Sequence, residues 1–396
     1  MISNPIYLTI FSNHYIDFIS PFLAICGLAW LMKLDTRSYF VTGFFVGVLW
    51  FWWVGLSAIH FDLDFLVPFI ILGFGLFYGF CFRIIYIFKY DFLKLLAIFG
   101  LSFIRPLGFD WFNFGIFVNF GLFDASYRGI LAIFLIAYLI NLNIKKTYKT
   151  ILILFSFSIA LQYKDPAIKE LDFDFKLINT QVPQDQKYFT NNIISNADFA
   201  IKEIKKAIKE KKELIILPES TFAFDLENDT KYMDILKNLS KNIIIITGAF
   251  SQKDANIYNS TYIFDNTEFK ILNKHFLVPF GEEIPIFKNL IKNYINISEF
   301  NKGDKLNQYI LKDQLITNAI CYEVTKEEIY KNSKTIIAIS NNAWFDSVIQ
   351  PNLQRLLIQF YANKYKVVVY HATNGEKTSI IKPKKSIITN ILKLIK

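Results

Sequence analysis

Cysteine is scarce in this chain: 396 residues carry three, Cys26, Cys81 and Cys321. The first two lie inside long apolar stretches, so the three cannot build a disulfide framework. Metal signatures are missing as well. There is no HExxH and no CxxC, and the four histidines are scattered, so no metal and no cofactor is expected. A glycine-rich phosphate loop and an internal repeat are also absent. Charged residues make up only 19% of the chain, with a net charge of +9. The lysines alternate with acids instead of forming blocks, which argues against a nucleic-acid partner and for solvated faces near anionic lipid. The first apolar stretch has no basic n-region and no small-residue cleavage site, so no cleavable signal peptide is expected.

What the chain has is apolar bulk, unevenly spread: 53% hydrophobic residues, with 42 Phe and 21 Tyr. Residues 1–163 are mostly Phe, Ile, Leu and Gly, and residues 164–396 mix short apolar runs with charge. This predicts a transmembrane helical bundle followed by a soluble domain. A helix needs about 20 apolar residues to cross a bilayer. Six spans are expected, over Tyr15–Met32, Tyr39–Ile59, Phe65–Phe88, Phe92–Ile104, Ile130–Leu142 and Thr150–Tyr163. Basic residues fall in alternate loops: Lys33 and Arg37, then Arg83, Lys89 and Lys94, then Lys145, Lys146 and Lys149. Those loops should be cytoplasmic. The soluble domain then faces the periplasm, from the inner membrane of a Gram-negative cell. Leu107–Phe123, broken by glycines and polar residues, reads as a loop dipping into the outer leaflet. A monomer is expected.

In the second half, Lys176–Thr180, Leu214–Leu217, Ile243–Ile246, Tyr258–Phe264, Gln314–Ile320, Thr335–Ile339 and Lys366–Tyr370 read as strands. Phe189–Lys212 and Leu353–Lys364 read as helices. The alternation argues for an α/β domain. Three apolar runs end in reactive side chains, where α/β sheets carry their sites. Leu214–Leu217 leads into Pro218-Glu219, Ile271–Asn273 into Lys274, and Leu315–Ile320 into Cys321.

Cys321 alone reads as well as a small core hydrophobe. An unpaired thiol on the oxidising side of a membrane favours a purpose, and a nucleophilic thiol needs a base or a positive neighbour. Glu219 is either a carboxylate at a turn or the group that takes the thiol proton. Lys274, flanked by apolar residues, is either a solvated amine or an oxyanion partner. Glu282 and Glu283 are placed to hold that lysine. Glu323 is a structural acid or a supporting partner.

Taken jointly, in the order Glu, Lys, Cys, these motifs resemble the nitrilase (carbon–nitrogen hydrolase) superfamily. With membrane spans ahead of them, they resemble its apolipoprotein N-acyltransferase branch. The resemblance rests on LPES with Glu219, NKHFLVPFGEE with Lys274 and Glu282, and AICYE with Cys321, Tyr322 and Glu323. SNNAWF with Asn341, Trp344 and Phe345, HATNG with Asn374, and GFDWFNFG from Gly108 extend it. It covers Asp17 to Ile381, and K-x-x-LVPFGE is its most specific string. The pattern departs in four places. An additional first span is at most a remnant at Ile2–Phe11, and the final helix is replaced by ILKLIK. Asn342 and Asp346 stand for the usual Asp and Gly, and Glu376-Lys377 for small or apolar residues.

The resemblance implies a four-layer α-β-β-α sandwich bearing a Glu219-Lys274-Cys321 triad. Glu282, Tyr322 and Glu323 would support it, and Asn341, Trp344 and Phe345 would contact substrate, as would Phe276–Phe280. It implies acyl transfer from a phospholipid through a cysteine thioester. The acceptor would be the N-terminal amine of an S-diacylglyceryl-cysteine lipoprotein. A membrane-tethered amidase acting on a small amide or nitrile is the alternative.

Overall fold

Apolar residues decide the first half of the chain and strand alternation decides the second. In the computed structural model, residues 1–11, 14–279, 281–283 and 300–395 are described. Helices occupy all six apolar intervals: α2 (His14–Leu31), α3 (Thr36–Phe51), α4 (Val67–Ile85), α5 (Asp91–Gly100), α6 (Tyr127–Asn141) and α7 (Lys146–Ala160), after a short α1 (Asn4–Leu8). Among the described residues, the stretches Thr36–Phe61 and Asp64–Ile85 are long and apolar enough to cross a membrane. Phe18–Leu31 and Tyr127–Asn141 are shorter. α3 and α4 approach closely because Gly43 and Gly47 face the backbone at Tyr78 and Phe74, the small-residue packing common between membrane helices. Residues 107–123 are irregular apart from short 3-10 turns, so they form a loop and not a seventh helix. The loop is nevertheless packed, with Trp111, Phe112 and Phe114–Val118 buried.

The chain divides into two compact units. One holds Met1–Ala167, Phe345–Lys364 and Pro383–Lys396, and the other holds Ile168–Trp344 and Tyr365–Lys382. This differs from a single cut after residue 163, because two later segments return to the first unit. Composition hides that return: the helix Ile349–Tyr365 carries many polar residues, and it docks through them. Asn352 Nδ2 donates to Ile6 O at 2.6 Å and Asn119 Nδ2 to Leu356 O at 2.7 Å. Gly115 leaves room for the Phe360 ring.

The second unit is built on two sheets. The first has strand order β1-β2-β4-β5-β6, with β3 beside β4. Its strands are β1 (Phe175–Leu177), β2 (Leu214–Ile216), β3 (Phe222–Asp225), β4 (Ile244–Lys253), β5 (Asn256–Asp265) and β6 (Glu268–Asn273). The second runs β11-β10-β9-β8-β7, from β7 (Gln308–Leu311) through β8 (Gln314–Ile320), β9 (Thr335–Asn341) and β10 (Val368–Asn374) to β11 (Ser379–Ile381). β8, β9 and β10 are parallel. Ile216, Ile246 and Leu272 of one sheet pack against Ile316, Ile337 and Tyr370 of the other. On the opposite face of the first sheet, Ile215, Ile245 and Tyr262 pack with α8 (Thr190–Lys209) and α9 (Thr230–Leu239). Both helices are amphipathic, with Ala197, Ile201 and Ile204 of α8 turned inward. The strands expected from alternation are present. β3, β7 and β11 were not anticipated, and of β6 only the run Ile271–Asn273 ahead of Lys274 was; all four are short and edge-placed or polar.

The parallel strands end together at one edge, where β2, β8 and β9 deliver Glu219, Cys321 and Asn341. The β2 exit is tight: Ser220 adopts φ 50°, and a Cβ on Gly248 would lie 2.5 Å from Ser220 N and 2.6 Å from Glu219 Cα. Gly248→Ala should therefore push on the Glu219 turn and destabilise the unit by about 1–3 kcal/mol. A lowered Tm with weakened activity is expected, and an unchanged Tm would show that this approach has slack.

Candidate active site

Cys321 sits at the point where β8 stops. Its φ is 50°, the left-handed region that costs a non-glycine residue about 1–3 kcal/mol, and a 3-10 turn Cys321–Thr325 follows. The strand delivers the residue, and its side chain packs against the edge of the core between the two sheets. Glu323 holds this turn with three main-chain donors. Its Oε2 accepts from Ile320 N at 2.8 Å, and its Oε1 from His275 N at 2.7 Å and Phe276 N at 3.1 Å. One carboxylate thus ties the cysteine turn to the residues just after Lys274. Burial pushes the Glu323 carboxyl up, against the pull of those N–H donors.

Lys274 is 1% exposed and lies between two carboxylates. Its Nζ is 2.9 Å from Glu282 Oε1, 2.8 Å from Glu282 Oε2 and 3.5 Å from Glu219 Oε1. Burial alone would lower its pKa, but Glu282 and Glu219 outweigh burial and raise it, so Lys274 is an ammonium throughout the working range. Glu219 Oε1 accepts from Asn259 Nδ2 at 2.6 Å, and Glu219 Oε2 from Asn341 N at 2.7 Å. Asn259 Nδ2 also reaches Glu282 Oε1 at 2.8 Å, and Glu282 Oε2 accepts from Val278 N at 2.9 Å. Burial and the carboxylates of Glu219 and Glu282 push the Cys321 thiol up, while Lys274 and the Asn341 N–H pull it down. The resting sulfur is therefore a thiol under the influence of two carboxylates, not a preformed thiolate.

The structure brings Glu219, Lys274, Cys321, Glu282 and Glu323 into one cluster, as their order in the chain anticipates. Tyr322 is buried, and its hydroxyl accepts from Lys326 Nζ at 2.7 Å, with that ammonium 4.0 Å from the ring centroid. Asn341 contributes its main-chain N–H to Glu219, and its side chain reaches Gln184 instead of open space. Trp344 and Phe345 are partly exposed. Phe345 belongs to the first unit, edge-on to Trp53 at 4.7 Å. Within Phe276–Phe280, Phe280 lies outside the described residues. No group of His, Cys, Asp and Glu able to hold a metal occurs among the described residues.

Sequence reasoning missed Asn259, Gln184 and Lys187, and it quoted Asn374 within HATNG without giving it a role. Asn259 left a trace: Asn259, Ser260 and Thr261 interrupt an apolar strand and are buried all the same. The other three lie where no periodicity signals a role. Asn374 Nδ2 donates to Asn341 Oδ1 at 2.8 Å and to Val182 O at 2.9 Å, and Asn374 Oδ1 accepts from Val182 N at 2.8 Å. Lys187 is buried, and its Nζ donates to the main-chain oxygen of Glu219 at 3.1 Å.

Residues 1–162 match the family model of the apolipoprotein N-acyltransferase integral membrane domain, so the first half is a membrane domain. The chain is 56% identical over 97% of its length, and 88% of the relative's, to an apolipoprotein N-acyltransferase of Campylobacter jejuni. To that of Wolinella succinogenes it is 34% identical, over 93% of this chain and 92% of the relative. Among solved structures, it resembles a CN-hydrolase superfamily protein of Xanthomonas campestris with 12% identity and a TM-score of 0.41, covering 55% of this chain and 88% of that one. The near-complete coverage at 56% identity decides the matter: this chain belongs to the apolipoprotein N-acyltransferase family.

Proposed function

We infer that Cys321 carries an acyl group from a phospholipid to the N-terminal amine of an S-diacylglyceryl-cysteine lipoprotein. The observation that supports this most is the buried cluster in which Lys274 lies between Glu219 and Glu282 beside a left-handed cysteine, in a chain whose first half is a membrane domain. In the first step Glu219 takes the thiol proton as the sulfur attacks the ester carbonyl. A C–S bond forms and the carbonyl π pair moves onto oxygen. Lys274 and nearby main-chain N–H groups stabilise that oxyanion. When the C–O bond to glycerol breaks, the leaving alkoxide takes the proton from Glu219. Thioester and lysophospholipid result, with phosphatidylethanolamine, cleaved at sn-1, as the donor.

In the second step the lipoprotein amine attacks the thioester and gives a proton to Glu219. The C–S bond then breaks, the amide is released, and the sulfur recovers its proton. Glu282 orients Lys274, and Tyr322 and Glu323 hold the nucleophile turn. Asn341 holds Glu219. Trp344 and Phe345 are partly exposed aromatics suited to acyl chains. The basic loops favour an inner-membrane protein with its catalytic unit in the periplasm, where lipoproteins present their amines. A monomer suffices, since every group named belongs to one chain.

Cys321→Ala should abolish both thioester formation and N-acylation, assayed with phosphatidylethanolamine and a diacylated lipopeptide, while the purified protein keeps its Tm. Glu219→Gln should slow thioester formation by about 10²-fold or more, the range seen for a lost general base. Retained acylation by Cys321→Ala contradicts the reading, and hydrolysis of small amides without lipid transfer would favour an amidase. For topology, a periplasm-active reporter fused after Lys164 should be active and one fused after Lys146 silent. The reverse pattern excludes a periplasmic site.

A further inference from the structure

The cluster contains a second lysine that the two steps leave without a task. Lys187 is 3% exposed, and among the described residues one of its three N–H bonds finds a protein acceptor, the main-chain oxygen of Glu219. It makes no ion pair there, although burying an ammonium costs several kcal/mol unless something offsets it. Its segment is fixed by the same side chains that fix the base. Asn374 grips Val182 through both its N–H and its oxygen, and Asn341 donates to Gln184 at 2.8 Å. Asn374 in turn holds Asn341, whose main-chain N–H meets Glu219. One residue on, the Tyr188 ring stacks on Phe250 with centroids 6.4 Å apart. Lys187 therefore grips Glu219 from its main-chain side, while Asn259, Asn341 and Lys274 hold the carboxylate.

Charge gives this grip a second consequence. Glu219 and Glu282 face Lys274, so these three side chains together carry one negative charge in excess. An excess of that sign opposes an anion on Cys321. We propose that Lys187 is a positioning residue of the acyl-transfer site, anchoring the main chain of Glu219 and supplying a positive charge beside that of Lys274 against which a Cys321 anion forms. The inference rests on the reading of Cys321 as nucleophile. Burial pulls the Lys187 ammonium down to about 8, against the opposing influence of Glu219 and Cys321. It is thus charged at neutral pH and discharges in the mildly alkaline range. The other groups acting on Cys321 are Glu219, Lys274, Glu282 and the Asn341 N–H.

The test follows iodoacetamide alkylation of Cys321, resolved from Cys26 and Cys81 by peptide mass, across neutral and alkaline pH. It uses the full-length chain in phosphatidylethanolamine–phosphatidylglycerol vesicles. Lys187→Gln keeps a donor for the Glu219 oxygen and loses the charge, whereas Lys187→Met loses both. The glutamine variant should alkylate about tenfold more slowly at neutral pH, the effect of one pKa unit on the thiol, with its rise moved to higher pH. The methionine variant should be at least as slow, and if it fails to fold the glutamine variant decides alone. A glutamine curve that superimposes on the parent's overturns the role of the charge. The acyl adduct on Cys321 of the parent chain is measured in parallel. An adduct together with superimposed curves overturns the inference about Lys187 alone, and no adduct overturns the reading on which it rests.

Discussion

A lysine ammonium buried between two carboxylates is the constraint around which the second unit is organised. Desolvating three charges costs several kcal/mol per ion, and attraction repays it only with good geometry and every remaining lone pair satisfied. The surrounding residues meet that demand. Asn259 bridges the two carboxylates, the Asn341 N–H caps one and the Val278 N–H caps the other. Glu219 comes from the β2 exit, Asn259 from β5, Lys274 from the β6 exit and Asn341 from β9. The first sheet supplies three of these and the second sheet the fourth. Removing any one leaves a buried charge with fewer partners, so the cluster couples the two sheets to each other.

Cys321 is held by a parallel device. Cys321 occupies a strained left-handed conformation, and Glu323 offsets that strain by accepting three main-chain N–H groups from two separate segments. The resting thiol is pushed up by burial and by the carboxylates of Glu219 and Glu282. A thiol that stays protonated at rest resists oxidation, because the thiolate is the form most easily oxidised.

How much of this is legible in the sequence follows from the range of each interaction. The grouping of Glu219, Lys274 and Cys321 was readable because each follows an apolar run, a local pattern. The six helices were readable from apolar runs, and the loop of residues 107–123 from its glycines and polar breaks. The roles of Asn374, Gln184 and Lys187 were not readable. Asn374 and Val182 are 192 positions apart and meet only because β10 lies beside the segment that follows β1. The return of Ile349–Tyr365 to the membrane unit was hidden for a related reason. Its docking depends on Asn352 and Asn363 finding main-chain oxygens in the first unit, and polar residues on a helix ordinarily signal solvent.

The central claim is that Cys321 carries the acyl group. It is tested most directly by the mass of the peptide bearing Cys321 after the purified protein meets phosphatidylethanolamine of known acyl composition without acceptor. The account predicts a mass increase equal to one acyl chain on that peptide, released by hydroxylamine and lost on adding a diacylated lipopeptide. An unmodified Cys321 peptide from a preparation that still N-acylates the lipopeptide would contradict it.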